Sequence, residues 1–220
     1  YIRDMKHQNR VHFPIDQKPV HFTYRLYGSI PKGYDEKLKL RMDSALDIAK
    51  AEALKYSPRV GNQFLNKRVF EINARYELGM DKYLHKNSNG PYYLSKSYVA
   101  SEILQSYQYL HDNQELFVYT VCVMSNHVHA LVRAPDGVEK VDSGLFMSRH
   151  KSYTARMCNK LLGRTGEPFW EDDYFDRTVR KGKFDRVIMY VLNNPVKAGL
   201  VKHWREWPYS WLNPEFELLY

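Results

Sequence analysis

At 220 residues the chain has room for one well-developed hydrophobic core, or for a core with a small appendage. A composition of 44% hydrophobic and 26% charged residues excludes a disordered chain, and no apolar stretch approaches the roughly 20 residues that span a bilayer. Lys and Arg number 33 against 25 Asp and Glu, for a net charge of +8, so a polyanion such as nucleic acid is a plausible partner but not a required one.

The start, "YIRDMKHQNR", lacks the apolar core of a signal peptide, and a cytoplasmic protein is the expectation. Residues 1–18 are polar and irregular and read as a loose arm. "VHFTYRLYGSIP" (20–31) is rich in aromatic and β-branched residues and closes on Gly28 and Pro31, the pattern of a strand. From Asp35 to about Lys55, Leu38, Met42, Leu46 and Ile48 or Ala49 recur at helical spacing. Residues 56–96 carry a weaker pattern, with a short helix near "RVFEINARYELGMDKYL" and the turn-rich "HKNSNGP". Ser97 is placed to cap a helix bearing Ile103, Leu104, Tyr107 and Leu110.

"ELFVYTVCVM" (115–124) is apolar on both faces, as a central strand is. With a short turn at Ser125 and Asn126 it leads into "HVHALVR", so 115–133 reads as a β-hairpin. The only cysteines, Cys122 and Cys158, form neither a disulfide framework nor a CxxC metal site, and Cys122 is most simply a small core residue. A long helix over 142–162 carries Phe146, Tyr153, Met157 and Leu161 on one side, flanked by Arg149, Arg156 and Lys160. "YFDRTVR" (174–180) is a further strand, and "KFDRVIMYVLNN" (183–194) a helix stopped by Pro195. Strands and helices in this order, with an antiparallel hairpin, predict an α+β fold with helices packed on a sheet. One domain over 1–220 is expected.

Side chains alternate along a strand, so His127 and His129 share one face while Val128, Ala130 and Val132 line the other. In the helix, Phe184, Val187, Ile188, Val191 and Leu192 form one buried stripe. Tyr190 lies off that stripe, Asn194 follows one turn later on its side, and Lys183 and Arg186 extend the same side towards the helix start. Each of these residues has an ordinary structural explanation: hydrogen-bonded histidines, a surface tyrosine, a helix-terminal asparagine before proline. Together they have a chemical one. Two imidazoles and an amide oxygen make an incomplete sphere for a divalent ion, which can polarise a phosphodiester beside a nucleophilic phenol.

Several segments then converge on a known family. "MSNHVHALV" resembles the histidine–hydrophobic–histidine strand of the HUH endonucleases. "FWEDDYFDRTVR" followed by "IMYVLNNPVKAGLV" is similar to the C-terminal half of the single-tyrosine, IS200-like transposases, and specifically to the REP-associated tyrosine transposase group. "KSYTARMCNKLLGRTG", "WPYSW" and the first strand "HFTYRLYGS" fit the same pattern, with the match running from about 97 to 211. Ser125 stands where the family most often has proline, and serine is also a good turn residue.

The resemblance implies a ferredoxin-like antiparallel sheet with packed helices and the HUH motif on a central strand. It implies His127 and His129 as metal ligands, Asn194 as the third ligand, Tyr190 as nucleophile, and Mg²⁺ or Mn²⁺ as the ion. The implied reaction is cleavage and rejoining of single-stranded DNA at hairpin-containing sites through a 5′-phosphotyrosine intermediate, by a monomer or homodimer. Residues 56–96 are matched less well and read as an elaboration in a position to contact DNA. Arg149, Lys151, Arg156, Lys160, Arg177, Arg180, Lys183 and Arg186 are candidate DNA contacts, with a solvated charged face as the alternative. Trp204, Trp207 and Trp211 are candidates for base stacking or for core anchoring. Two rival functions remain at this point: a domesticated binder of DNA hairpins that does not cut, and a zinc hydrolase built on the HxH pair, which lacks a recognisable third ligand and general base.

Overall fold

The computed structural model describes residues 12, 14–86 and 90–220. These form two compact units, one from Tyr27 to Pro91 and the other from the residues up to Leu26 together with Tyr92–Tyr220. Most of the proposed arm lies outside the described residues, as does the middle of "HKNSNGP". The end of the arm is not loose. Ile15 bridges Val141 through reciprocal backbone hydrogen bonds of 2.9 Å and is fully buried.

The larger unit is a five-stranded sheet in the order β4-β1-β3-β2-β5, built from β1 (Val20–Arg25), β2 (Phe117–Val123), β3 (His127–Arg133), β4 (Phe175–Thr178) and β5 (Ser210–Leu212). Every pairing is antiparallel. The first four strands, with helices α3 (Ser97–Asp112) and α4 (Ser143–Leu162) between them, follow the β-α-β-β-α-β order of a ferredoxin-like fold. The α+β expectation therefore holds, and the HxH strand is the central one. The hairpin between β2 and β3 closes where Met124 N–H donates to His127 O at 2.8 Å across Ser125 and Asn126.

The two faces of the sheet carry separate cores. On one, Val20, Phe22 and Tyr24 of β1 and Val128, Ala130 and Val132 of β3 pack with Val99, Ile103 and Tyr107 of α3 and with Phe146 and Met147 of α4. On the other, Leu131 and Tyr119 pack with Ile188 and Leu192 of α5 (Phe184–Leu192). Ile188 and Leu192 are fully buried, and each contributes about 1.5–3 kcal/mol to holding α5 on the sheet. A bulge makes this two-sided burial consistent along β2. Tyr119 is the extra residue, after which Val121 and Val123 regain the first core while Cys122 comes opposite His129.

Helix boundaries follow local chemistry. Asp142 Oδ1 accepts from Leu145 N–H at 2.7 Å to cap α4, and Gly163, at φ 68°, ends it in the left-handed conformation. Ser97 is not a cap but the first residue of α3, whose capping position is Lys96. Pro195 stops α5 as predicted and sits in the opening turn of a second short helix, α6 (Asn194–Lys197).

The buried side of α4 differs from the expected stripe. Phe146 is buried, but Tyr153 and Leu161 are exposed, and the inward face runs through Ser143, Met147, His150, Thr154 and Cys158. Polar His150 and Thr154 lie inside because they are paired there: Trp170 Nε1 donates to Thr154 Oγ1 at 2.9 Å, and Thr154 Oγ1 donates to His150 O at 2.7 Å.

The smaller unit is a helical hairpin of α1 (Lys32–Ala53) and α2 (Pro58–Lys86). α2 covers far more than the short helix expected near 68–84. Tyr34 packs on Tyr83 at a ring separation of 4.2 Å, and Tyr76 Oη donates to Asp35 Oδ1 at 3.2 Å. At the other end of the hairpin Gly61 lets the helices touch, since a Cβ there would lie 2.5 Å from Ala53 O. Among the described residues no helix is long and apolar enough to cross a membrane.

Candidate metal and nucleophile site

Strand alternation delivers His127 and His129 to the α5 side of the sheet, with ring centroids 4.8 Å apart and planes nearly perpendicular. Antiparallel pairing sets Arg25 opposite His127 and Thr23 opposite His129, so His21, Thr23 and Arg25 of β1 share this face. Asn126 Oδ1 accepts from His127 Nδ1–H at 2.7 Å. His129 Nδ1 lies 3.0 Å from Thr23 Oγ1 and 3.2 Å from His21 Nε2, both able to accept its proton. His127 thus keeps its proton on Nδ1 and its electron pair on Nε2, as a ligating histidine requires, and a proton on His129 Nδ1 would leave that ring's Nε2 available in the same way.

α5 brings Tyr190 onto the same histidines. Its ring meets His21 edge-on at 5.6 Å and His129 at 5.8 Å, while His21 stacks on His129 at 5.3 Å. Cys122, Met124 and Val191 form a buried apolar floor beside Tyr190. Burial pushes the Cys122 thiol up to about 12, so it is a packing residue and not a second nucleophile. Lys197 Nζ stands 3.7 Å over the Tyr190 ring centroid, a cation–π contact.

Asn194 lies one turn beyond Tyr190. Its Nδ2 donates to Tyr190 O at 2.8 Å and to Val191 O at 3.3 Å, which fixes the amide plane. Its Oδ1 is buried and accepts no hydrogen bond among the described residues. A buried amide oxygen without a partner is costly unless something else engages it, and a cation is the natural partner. Two imidazole nitrogens and an amide oxygen are a donor set that fits a divalent ion with positions left for substrate oxygens.

The eight candidate cations fall into two groups. Arg149, Lys151, Arg156 and Lys160 are on α4, across the sheet from the paired histidines. Lys151 Nζ is committed to Glu171 O at 2.6 Å and Asp172 O at 2.8 Å, and it ties that loop to α4. Arg177 pairs with His21 across β1 and β4 and so shares its face; Arg180 follows, and Lys183 and Arg186 lie at the start of α5. Trp204 is buried against Leu131 and Ile188, and Trp207 Nε1 donates to Val123 O at 3.0 Å, so both anchor the C-terminal segment. Trp211 is half-buried in β5 against the main core.

Sequence inspection missed His21, Thr23 and Arg25. The signal was available in "HFTYR", whose polar residues alternate with Phe22 and Tyr24 just as His127 and His129 alternate with Val128 and Ala130. Arg25 is buried and its Nη1 pairs with Glu171 Oε2 at 3.0 Å.

Comparison with known proteins agrees with this fold. Residues 91–194, from the start of the segment leading into α3 to Asn194, match the family described as "Transposase IS200 like". More particularly, the chain is similar to the REP-associated tyrosine transposases. It is 23% identical over 126 residues to a Haemophilus influenzae protein named for that group, covering 53% of this chain and 72% of the relative. A solved structure titled as a REP-associated tyrosine transposase bound to a REP hairpin shares the fold, with a TM-score of 0.51 at 14% identity over 92% of this chain and 81% of the other.

Proposed function

We propose that this protein is a metal-dependent endonuclease and strand transferase acting on single-stranded DNA, with DNA hairpins as the recognised feature. The observation that carries this is the convergence of Tyr190 on the histidine face, its ring 5.8 Å from His129 and 5.6 Å from His21. The hairpin held by the solved relative supports the choice of substrate. His127, His129 and Asn194 are the ligands, and a bound Mg²⁺ or Mn²⁺ ion supplies Lewis-acid polarisation of the scissile phosphate.

The protein's own residues do the rest. Asn126, Thr23 and His21 hold the two imidazoles in their ligating tautomers. The Tyr190 phenol oxygen bonds to phosphorus and loses its proton, the P–O3′ bond breaks, and the departing 3′ oxygen takes up a proton. The 5′ end remains as a phosphotyrosine ester. Attack on that ester by another 3′ hydroxyl reverses the step and rejoins DNA without an external energy source.

The test is a nicking assay on labelled single-stranded hairpin DNA with Mn²⁺. His127→Ala should fall to background cleavage while retaining DNA affinity, because phosphate and base contacts lie elsewhere. A variant that nicks at the wild-type rate would remove the metal site. Wild-type binding without nicking would favour a hairpin-binding protein.

A further inference from the structure

Beside the start of α5, on the same side of the sheet as the paired histidines, is an open pocket of about 480 Å³. Three aromatic rings line it. Tyr119 of β2 lies 4.8 Å from Phe184 of α5 and 5.4 Å from Phe216 near the C-terminal end, and Phe184 and Phe216 are 5.9 Å apart. Phe184 and Phe216 are only half-buried, so each leaves ring surface to the pocket. Lys18, Arg180 and Lys181 supply its basic side chains, beside Pro19, Val179 and Gly182. Asp16 is an acidic neighbour of Lys18, at 3.8 Å.

We propose that this pocket binds an unpaired nucleobase of the DNA strand, with a flanking phosphate on Lys181; the proposal rests on the single-strand DNA activity above. Aromatic surface rimmed by cations matches the two halves of a nucleotide, since every base has a face to stack and every phosphate a charge to neutralise. The volume lies within the range of small-ligand pockets. Its place on the helix supplies the register. Phe184 precedes Tyr190 by six residues, about 9 Å along the helix axis at 1.5 Å per residue. A strand with its scissile phosphate at Tyr190 therefore reaches the pocket within a very few nucleotides. The base held there is single-stranded flank, not hairpin stem.

Photo-cross-linking tests this without requiring cleavage. Octanucleotides of mixed sequence, each with 5-iododeoxyuridine at one successive position, are irradiated with the wild-type protein and the adducts mapped by mass spectrometry. The expected adduct falls on Tyr119, Phe184 or Phe216; adducts confined to other residues would overturn the assignment. Phe216→Leu should weaken octanucleotide binding about tenfold. Lys181→Gln changes an exposed side chain, and should reduce the salt dependence of log affinity by about 0.7. Unchanged affinity in the first and unchanged slope in the second would also overturn it. Cross-linking in a protein that never nicks would leave this site standing and remove the endonuclease; nicking without cross-linking here would do the reverse.

Discussion

His150 lies where α4 meets the sheet, with Tyr24 Oη 2.8 Å from its Nε2 and Ser106 Oγ 3.2 Å from its Nδ1. Burial, reinforced by the Lys151 charge, lowers its pKa to about 3, so the folded protein keeps the ring neutral. The unfolded chain protonates the same residue near 6.5. Between those values the unfolded state binds more protons, so stability falls as pH is lowered through 6.5 towards 3, by about 1.4 kcal/mol per unit. From pH 7 to pH 5 this residue accounts for a loss of roughly 2 kcal/mol. His150→Gln keeps hydrogen-bonding capacity but does not titrate, and urea unfolding at the two pH values should show it losing about that much less than wild type. Equal losses would mean that His150 charges inside the fold. The paired histidines of β3 were readable because strand alternation needs only neighbouring residues. His150 was not, because a polar residue at an inward position betrays itself only through partners distant in sequence, here Tyr24 and Ser106.

Among the elements, α5 was the most readable and α2 the least. Ile188, Val191 and Leu192 face inward as their spacing requires, and Tyr190 stands off that stripe. In α2 the buried positions Ile72, Tyr76, Met80 and Leu84 recur every four residues, which is why its second half carried a helical signal. Its first half has no such stripe. What shapes it is a close approach: Gly61 N–H donates to Ser57 O at 2.8 Å, and its missing side chain admits Ala53 O. The blocking atom is backbone and cannot swing aside. Gly61→Ala should therefore destabilise the helical hairpin by about 1–3 kcal/mol despite alanine's better helix propensity. Thermal unfolding followed by circular dichroism measures this, and a raised melting temperature would show that the α1–α2 corner has room. On α4, the Tyr153–Met157–Leu161 stripe misled because the inward face runs instead through polar Thr154 and His150, which are hydrogen-bonded inside.

For the whole molecule, the α+β class could be read from the order of strands and helices, whereas the strand order could not. β1 pairs with β3 across about a hundred residues of chain, and nothing local in either strand encodes that partner. The family motifs bridged the gap by implying a fold whose β4-β1-β3-β2 order centres the histidine strand. That order lets one helix, α5, carry Tyr190 onto histidines from two adjacent strands. In the proposed reaction this tyrosine is the nucleophile. Tyr190→Phe removes one oxygen and no packing volume, so fold and DNA affinity should stay close to wild type. The direct measurement is a denaturing gel of the protein incubated with end-labelled single-stranded hairpin DNA and Mn²⁺. Wild type should give a slow covalent band carrying the DNA downstream of the nick, and Tyr190→Phe should lose that band and the cleavage product together. A covalent band persisting in Tyr190→Phe, or cleavage by wild type with no covalent band at all, would mean that Tyr190 is not the nucleophile.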